Sequence, residues 1–202
     1  MESLRSATED EMVLCFLRAE RNSPRWREAL AGRIGGRWYL LDQPDLQDEA
    51  QNEDRRTVLG YRGYGLNDYL FRGFPDDVEW WFVRMTRAEV GDLMFGQGIC
   101  DELTEGTRLV SVAAKNASTV ECKGDAPGLN EGIARVLELD SDGASLEPLV
   151  IVSTSPADQH VLVEGYSRAC AYASRPEGPD VEAFAGYSTG IAHWAFWGPG
   201  FD

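Results

Sequence analysis

Lysine and histidine are scarce in this chain. Of its 202 residues, only two are lysines, Lys115 and Lys123, and two are histidines, His160 and His193. So few histidines argue against a histidine-rich metal site. The other 17 of the 19 basic residues are arginines, whose planar guanidinium suits two-point contacts with phosphate or carboxylate. A compositional preference of the genome explains the same bias without any function.

Long apolar runs are missing, and the cysteines are scattered. No stretch approaches the ~20 apolar residues of a membrane-spanning helix, and the charged N-terminal segment does not resemble a signal peptide. The four cysteines lack the C-x-x-C spacing that zinc sites use. We therefore expect a cytoplasmic protein without membrane contact, with reduced thiols and without a structural zinc.

Positive charge is heavily outweighed by negative charge. The formal net charge is -15. Because affinity for nucleic acid depends on basic residues that neutralise phosphates, this balance argues against a nucleic-acid partner, although it leaves room for a local basic groove. A basic protein or a second copy of the chain remains a candidate partner. The apolar content of 43% and the aromatic content of 10% are typical of a globular protein with a buried core.

The N-terminal part of the chain gives a mixed pattern. Residues 9–21 place apolar side chains on one stripe, and Thr8 with Glu11 forms the pattern of a capping box, so we predict a helix there. A second short helix is predicted at 25–31. Residues 42–56 contain six carboxylates, which predicts an exposed, mobile loop.

Two segments, 61–65 and 71–74, mix arginine with aromatic residues and glycine. Such side chains can stack on a base or hold an anion. The alternative is an ordered loop that packs its aromatic side chains on the rest of the protein.

The remainder alternates between strand and helix patterns, which predicts an α+β (mixed α/β) fold with a small mixed sheet flanked by helices. Strands are predicted at 78–85, 149–153, 160–164 and 181–185. Helices are predicted at 87–95, 108–117, 130–139, 166–173 and 189–196.

One predicted junction between a strand and a helix contains residue types suited to binding a phosphate or to catalysis. A predicted strand ends at Glu164, Gly165 follows, and a helix begins at Tyr166 with Ser167 and Arg168 in its first turn. Helix N-termini offer unpaired N–H groups and a positive dipole end, glycine allows close approach of a ligand, and arginine matches phosphate. The alternative is a plain strand-to-helix turn in which Glu164 and Arg168 form a surface ion pair.

The junction resembles the signature of the ParB/sulfiredoxin-like fold, in which a strand ends in Asp/Glu-Gly-x-x-Arg before a helix. The resemblance covers roughly residues 104–197. It implies a core domain over 78–202, preceded by an N-terminal helical and loop extension over 1–77, and it implies that the protein binds nucleotides. Sulfiredoxins carry a cysteine where this chain has Tyr166, so their chemistry lacks its nucleophile here.

The resemblance also implies roles for individual residues. Glu164 and Arg168 would be catalytic, with Glu164 as the metal ligand or base and Arg168 as the phosphate clamp. The remaining cofactor contacts would come from Gly165, Tyr166, Ser167, Thr107 and Arg108. For Thr107 and Arg108 the alternative is a helix cap beside a solvated arginine. Three further glutamates stay open as the base: Glu20, Glu121 and Glu131.

The predicted function is therefore a nucleotide-binding enzyme. The expected cofactors are ATP or another nucleoside phosphate and Mg²⁺, and the expected reaction is phosphoryl transfer to a small molecule or nucleotide hydrolysis. The alternative is a non-catalytic module that senses a nucleotide or binds a protein partner through its acidic surface. A nuclease is a third possibility, which the negative charge disfavours.

Overall fold

The structure is a computed structural model, and it describes residues 1–23, 25–60, 68–122 and 128–198. Its centre is a five-stranded mixed sheet in the order β1-β2-β5-β3-β4. The strands are β1 (Glu2–Ala7), β2 (Glu79–Met85), β3 (Leu149–Ser153), β4 (Val161–Glu164) and β5 (Val181–Tyr187). β3 and β5 are parallel, and the other neighbours are antiparallel. Helices flank this sheet, so the predicted fold class is confirmed.

Ten helices accompany the sheet in the described part of the chain. They are α1 (Glu9–Arg21), α2 (Arg27–Ile34), α3 (Tyr39–Asp42), α4 (Glu49–Leu59), α5 (Asp68–Phe71), α6 (Arg87–Gly91), α7 (Asp101–Thr104), α8 (Val110–Asn116), α9 (Leu129–Ser141) and α10 (Tyr166–Ala173). A 3₁₀ turn, Thr189–His193, follows β5. The predicted capping box at the start of α1 is present, since the Thr8 hydroxyl accepts from the Glu11 N–H and the Glu11 carboxylate accepts from the Thr8 N–H.

The prediction of an exposed loop over 42–56 holds for residues 43–48, which lie between helices, but is wrong for residues 49–56, which lie in α4. Asp48 caps α4 by accepting from the N–H groups of Ala50 and Gln51. The buried face of α4 includes Arg55, whose guanidinium donates to the carbonyl oxygens of Leu40 and Asp45 at 3.1 Å each. A helix that buries an arginine instead of an apolar side chain lacks the apolar stripe by which helices are predicted.

Two predicted helices differ from the structure, and one strand lacks a prediction. The helix predicted at 87–95 ends at Gly91, and the helix predicted at 189–196 is a 3₁₀ turn over Thr189–His193. β1 was not predicted, because five of its six residues are exposed and show no apolar alternation.

Segment 61–65 lies outside the described residues. Phe71 and Phe74 of the other segment are buried, with ring centroids 5.6 Å apart, as the packing alternative requires.

The core has two halves, one on each face of the sheet. One half joins α1, α2 and α4 to Val150 and Val152 of β3. The other joins α6–α10 to Leu149 and Ile151 of the same strand. Residues before 78 thus contribute an edge strand and the helices that cover one face of the sheet.

The prediction of reduced thiols is wrong for one pair of cysteines. Cys100 and Cys122 form a disulfide, with Cα atoms 5.3 Å apart across a sequence separation of 22. The fold brings these residues together at the start of α7 and ahead of α9, which cysteine spacing alone does not reveal. Cys15 and Cys170 are free and buried. None of the helices in the described part of the chain combines the length and the apolar character needed to cross a bilayer.

Candidate functional site

The predicted junction between Glu164 and α10 forms as the sequence indicates. β4 ends at Glu164, and Gly165 caps α10 with φ at 103°, in the left-handed region. A Cβ atom placed on Gly165 would lie 2.5 Å from Cδ2 of Leu149. Glycine is therefore required at this position both by backbone conformation and by space.

Arg168 folds back over this glycine. Its Nη2 and Nε lie 3.1 Å and 3.3 Å from the place that a Cβ on Gly165 would take. Nη2 also donates to Oε1 of Glu164 at 3.2 Å. The residue is 9% exposed, and its buried Nε has no hydrogen-bond partner. A buried donor without a partner costs about 1–3 kcal/mol. A ligand that brings an acceptor atom to this Nε would remove that cost.

Two carboxylates and two arginines share the surroundings of this turn. Burial raises the pKa of Glu164, and this effect is opposed by Arg168 and by a hydrogen bond from the Gly165 N–H. Burial likewise raises the pKa of Glu147, opposed by Arg18 and Arg168. Since burial favours the neutral acid, both carboxylates are held closer to protonation than in water. Glu147 directly precedes Pro148 and β3, and no motif in the sequence marks it as a site residue.

Helix α1 lies against the same turn. The Cys15 thiol donates to the carbonyl oxygen of Pro148 at 3.5 Å. Burial raises the pKa of this thiol to about 12, with smaller electrostatic effects from Arg168 and Glu164. The helix that precedes the predicted core domain therefore borders the candidate site.

The side chains of Tyr166 and Ser167 pack against neighbouring parts of the protein. The Tyr166 hydroxyl donates to the Leu162 carbonyl oxygen at 2.8 Å, and its ring centroid lies 4.9 Å from that of Phe95. The Ser167 Oγ lies 2.5 Å from the place of a Cβ on Gly132, so the glycine lets α9 approach α10 closely. What these two residues can offer a ligand is their backbone N–H groups in the first turn of α10.

The side chains of Thr107 and Arg108 donate hydrogen bonds to backbone carbonyl oxygens of the protein. The three nitrogens of the Arg108 guanidinium donate to the carbonyl oxygens of Phe95, Trp197 and Phe196 at 2.9, 2.8 and 3.0 Å. The Thr107 hydroxyl donates to the Thr104 carbonyl oxygen at 2.6 Å. These bonds favour a structural role for Arg108, which ties the segment after the 3₁₀ turn to the start of α8. Phosphate contacts by this pair stay a prediction.

The three glutamates considered as the base differ in exposure. Glu20 is buried in α1, whereas Glu121 and Glu131 are exposed. Their roles stay open.

A preformed metal cage is missing from the described residues, in which no three His, Cys, Asp or Glu side chains gather closely enough to hold an ion. Mg²⁺ is usually held by one or two carboxylates together with substrate phosphates. Glu164 is a single carboxylate at the β4–α10 turn, the kind of ligand that this mode uses.

Two open cavities lie away from the turn. One, of about 430 Å³, is lined by Leu137, Glu138, Ser141, Asp142 and Arg175. The other, of about 340 Å³, lies where β1 and β2 meet the start of α1. Neither is lined by the residues from Glu164 to Arg168.

No family model, curated protein or solved structure matches the chain. The resemblance to the ParB/sulfiredoxin-like fold therefore rests on the residues of the turn and on the order of the elements around it, and it stays a prediction.

Proposed function

We propose that the β4–α10 turn binds the phosphate of a nucleotide, and that the protein is a Mg²⁺-dependent phosphotransferase or nucleotide hydrolase acting on a small molecule. The observation that carries the proposal is the unpaired, buried Nε of Arg168, held over Gly165 at the N-terminus of α10. The arginine supplies a donor that lacks an acceptor, and the helix end supplies N–H groups and a positive dipole.

The charges at the turn favour a phosphate over Glu164 as the partner of the Arg168 guanidinium. A phosphate has more charge and more acceptor oxygens than Glu164, so it competes well for the guanidinium. Glu164, once released, is a carboxylate with a raised pKa beside the bound phosphate. Such a group suits a base, because proton transfer is most efficient when the pKa of the base lies near the working pH. Mg²⁺, when bound, would neutralise phosphate charge.

A nucleotide sensor without catalysis is the second candidate. One observation favours it: Glu164 is already paired with Arg168, so this carboxylate is engaged by the arginine rather than free to act as a base. Binding to such a site needs no second carboxylate and no acceptor substrate.

The first experiment compares nucleotide binding by the wild type and by Arg168→Gln. Thermal unfolding is recorded with ATP, ADP, CTP, GTP and AMP, with and without Mg²⁺. At a concentration of 100 Kd, a bound nucleotide stabilises the protein by about 2.7 kcal/mol. We expect a shift of this size in the wild type and its loss in Arg168→Gln. Arg135→Gln is the matched control, because Arg135 is an exposed arginine of α9 outside residues 164–168.

Two outcomes would overturn phosphate binding at the turn: no nucleotide stabilises the wild type, or Arg168→Gln responds as the wild type does. Arg168→Lys guards against misfolding of the glutamine variant, since it keeps the buried charge and removes the Nε donor. We expect it to fold and to lose most of the shift.

A second experiment separates the enzyme from the sensor. Glu164→Gln keeps the size of the side chain and removes the charge. We expect it to retain nucleotide binding and to lose Mg²⁺-dependent turnover. Tight binding by the wild type without turnover would favour the sensor.

A further inference from the structure

Charge is distributed unevenly over the N-terminal helices. Residues 18–37 contain six arginines and two glutamates, a net charge of +4. Residues 42–60 contain six carboxylates and two arginines, a net charge of -4. The two segments cancel, so the rest of the chain carries the whole net charge of -15. Outside these segments, a second copy of the chain meets mainly repulsion.

The two segments lie side by side on the protein. Arg37 forms an ion pair with Asp54 of α4 at 2.7 Å, and Arg21 pairs with Asp42. The Arg21 guanidinium also lies over the ring of Trp38, 4.9 Å from its centroid. Between the segments, Tyr39 is 49% exposed, which is high for a large aromatic side chain. The surface thus has a basic part, an acidic part and an exposed aromatic ring between them.

Several charges on this surface have little or no internal compensation. Arg27 and Arg33 are exposed on α2 and form no ion pair with any described residue, and Arg25 contacts the ring of Trp26 at 4.7 Å. On the acidic side, the Glu49 and Glu53 side chains are 76% and 69% exposed, although both reach Arg56. The guanidinium of an arginine can bind a carboxylate through two parallel hydrogen bonds.

We propose that two copies of the chain pair through this surface, about a twofold axis near Tyr39. A twofold interface presents the same patch on both subunits, so each contact occurs twice. A patch that is basic on one side and acidic on the other is complementary to itself under this symmetry. The arginines of α2 in one copy then face the carboxylates of residues 45–53 in the other. The two Tyr39 rings supply the apolar centre that exposed ion pairs need in order to hold an interface.

Charge reversal tests the pairing. The basic-side variant carries Arg25→Glu, Arg27→Glu and Arg33→Glu, and the acidic-side variant carries Asp45→Lys and Glu53→Lys. Molar mass is measured by sedimentation over the micromolar range. We expect a dimer for the wild type and a monomer for each variant alone. An equimolar mixture of the two variants should regain dimers, because their patches are then of opposite sign.

The control for the basic-side variant makes the same change in net charge elsewhere on the surface. Arg72→Glu, Lys115→Glu and Arg135→Glu alter three exposed cations outside the patch, and this variant should stay dimeric. A monomeric wild type would overturn the proposal. So would a basic-side variant that dimerises as the control does, or a mixture that stays monomeric. Circular dichroism establishes that each variant is folded, so loss of pairing is not loss of structure.

Discussion

Gly165 shows how a single residue fixes the geometry of the candidate site. Its φ of 103° and the nearby Leu149 methyl group leave no room for a side chain. We predict that Gly165→Ala costs about 1–3 kcal/mol from backbone strain and a similar amount from overpacking. The free energy of unfolding in urea, followed by circular dichroism, measures this loss.

Gly143→Ala is the control for the conformational part of that cost. Gly143 also has a positive φ, of 71°, but no atom lies within 4 Å of the place its Cβ would take. The variant should therefore lose only the strain component. Equal losses in the two variants would contradict the steric argument at Gly165.

The chemistry of Glu164 and Arg168 was only partly predictable from their own residue types. The spacing Glu-Gly-x-x-Arg predicts a strand, a tight turn and a helix that starts with an available donor, and all three elements are present. The burial of Arg168 was not predictable, because it depends on tertiary packing around the turn. Glu147 was missed for the same reason: its approach to Arg168 depends on the packing of the sheet against α1 and α10.

At the scale of elements, a largely buried ion pair joins α6 to α9. The Arg87 guanidinium at the start of α6 donates to both carboxylate oxygens of Asp140 near the end of α9, at 2.9 and 2.7 Å. It also donates to the Pro179 carbonyl oxygen ahead of β5, at 3.0 Å, and lies over the ring of Tyr172 in α10. The hydrogen bond from Arg87 lowers the pKa of Asp140 below its usual value of 3.8.

This shift predicts how stability depends on pH. Because the folded-state pKa of Asp140 is the lower one, the pair contributes full stability above about pH 4 and loses it as the pH falls through the folded-state value. We expect Asp140→Asn to cost about 1.5–3 kcal/mol near neutral pH. The gap between wild type and variant should narrow at about pH 3. Urea unfolding at both pH values measures it.

Asp142→Asn serves as the control for this prediction. Asp142 follows α9 and is exposed, and it forms no ion pair with any described residue. Its replacement should change stability little at either pH. A gap for Asp140→Asn that stays constant with pH would contradict the assignment.

The elements that were predicted correctly are those whose pattern is local. α1 has an apolar stripe and a capping box, and β3 is a short apolar run, so the sequence identifies both. α4 and β1 fail that test for physical reasons. α4 buries Arg55 among backbone carbonyls, and β1 is an exposed edge strand held by its pairing with β2. In both cases, contacts distant in sequence replace local apolar periodicity.

At the scale of the whole molecule, the core crosses the boundary that the sequence predicts at residue 77. The side chains on one face of the sheet pack against helices from the first 60 residues. They include Trp80, Val150, Val152 and Phe184, and Trp194, which follows the 3₁₀ turn, joins the same cluster; all five side chains are between 0% and 6% exposed. The other face is covered by residues after 86. Residues 1–77 and residues 78–202 thus both contribute to one of the two halves of the core.

This sharing predicts that residues 78–202 do not fold alone. Removing residues 1–77 would expose at least five large apolar side chains, worth about 1.5–3 kcal/mol each. The total of roughly 8–15 kcal/mol matches the whole stability of a typical domain. We expect the isolated fragment to show no cooperative unfolding transition by calorimetry, and co-expression with residues 1–77 to restore one. A cooperative transition in the fragment alone, near the melting temperature of the full chain, would instead make the extension dispensable, because one covered face would then suffice to hold the sheet.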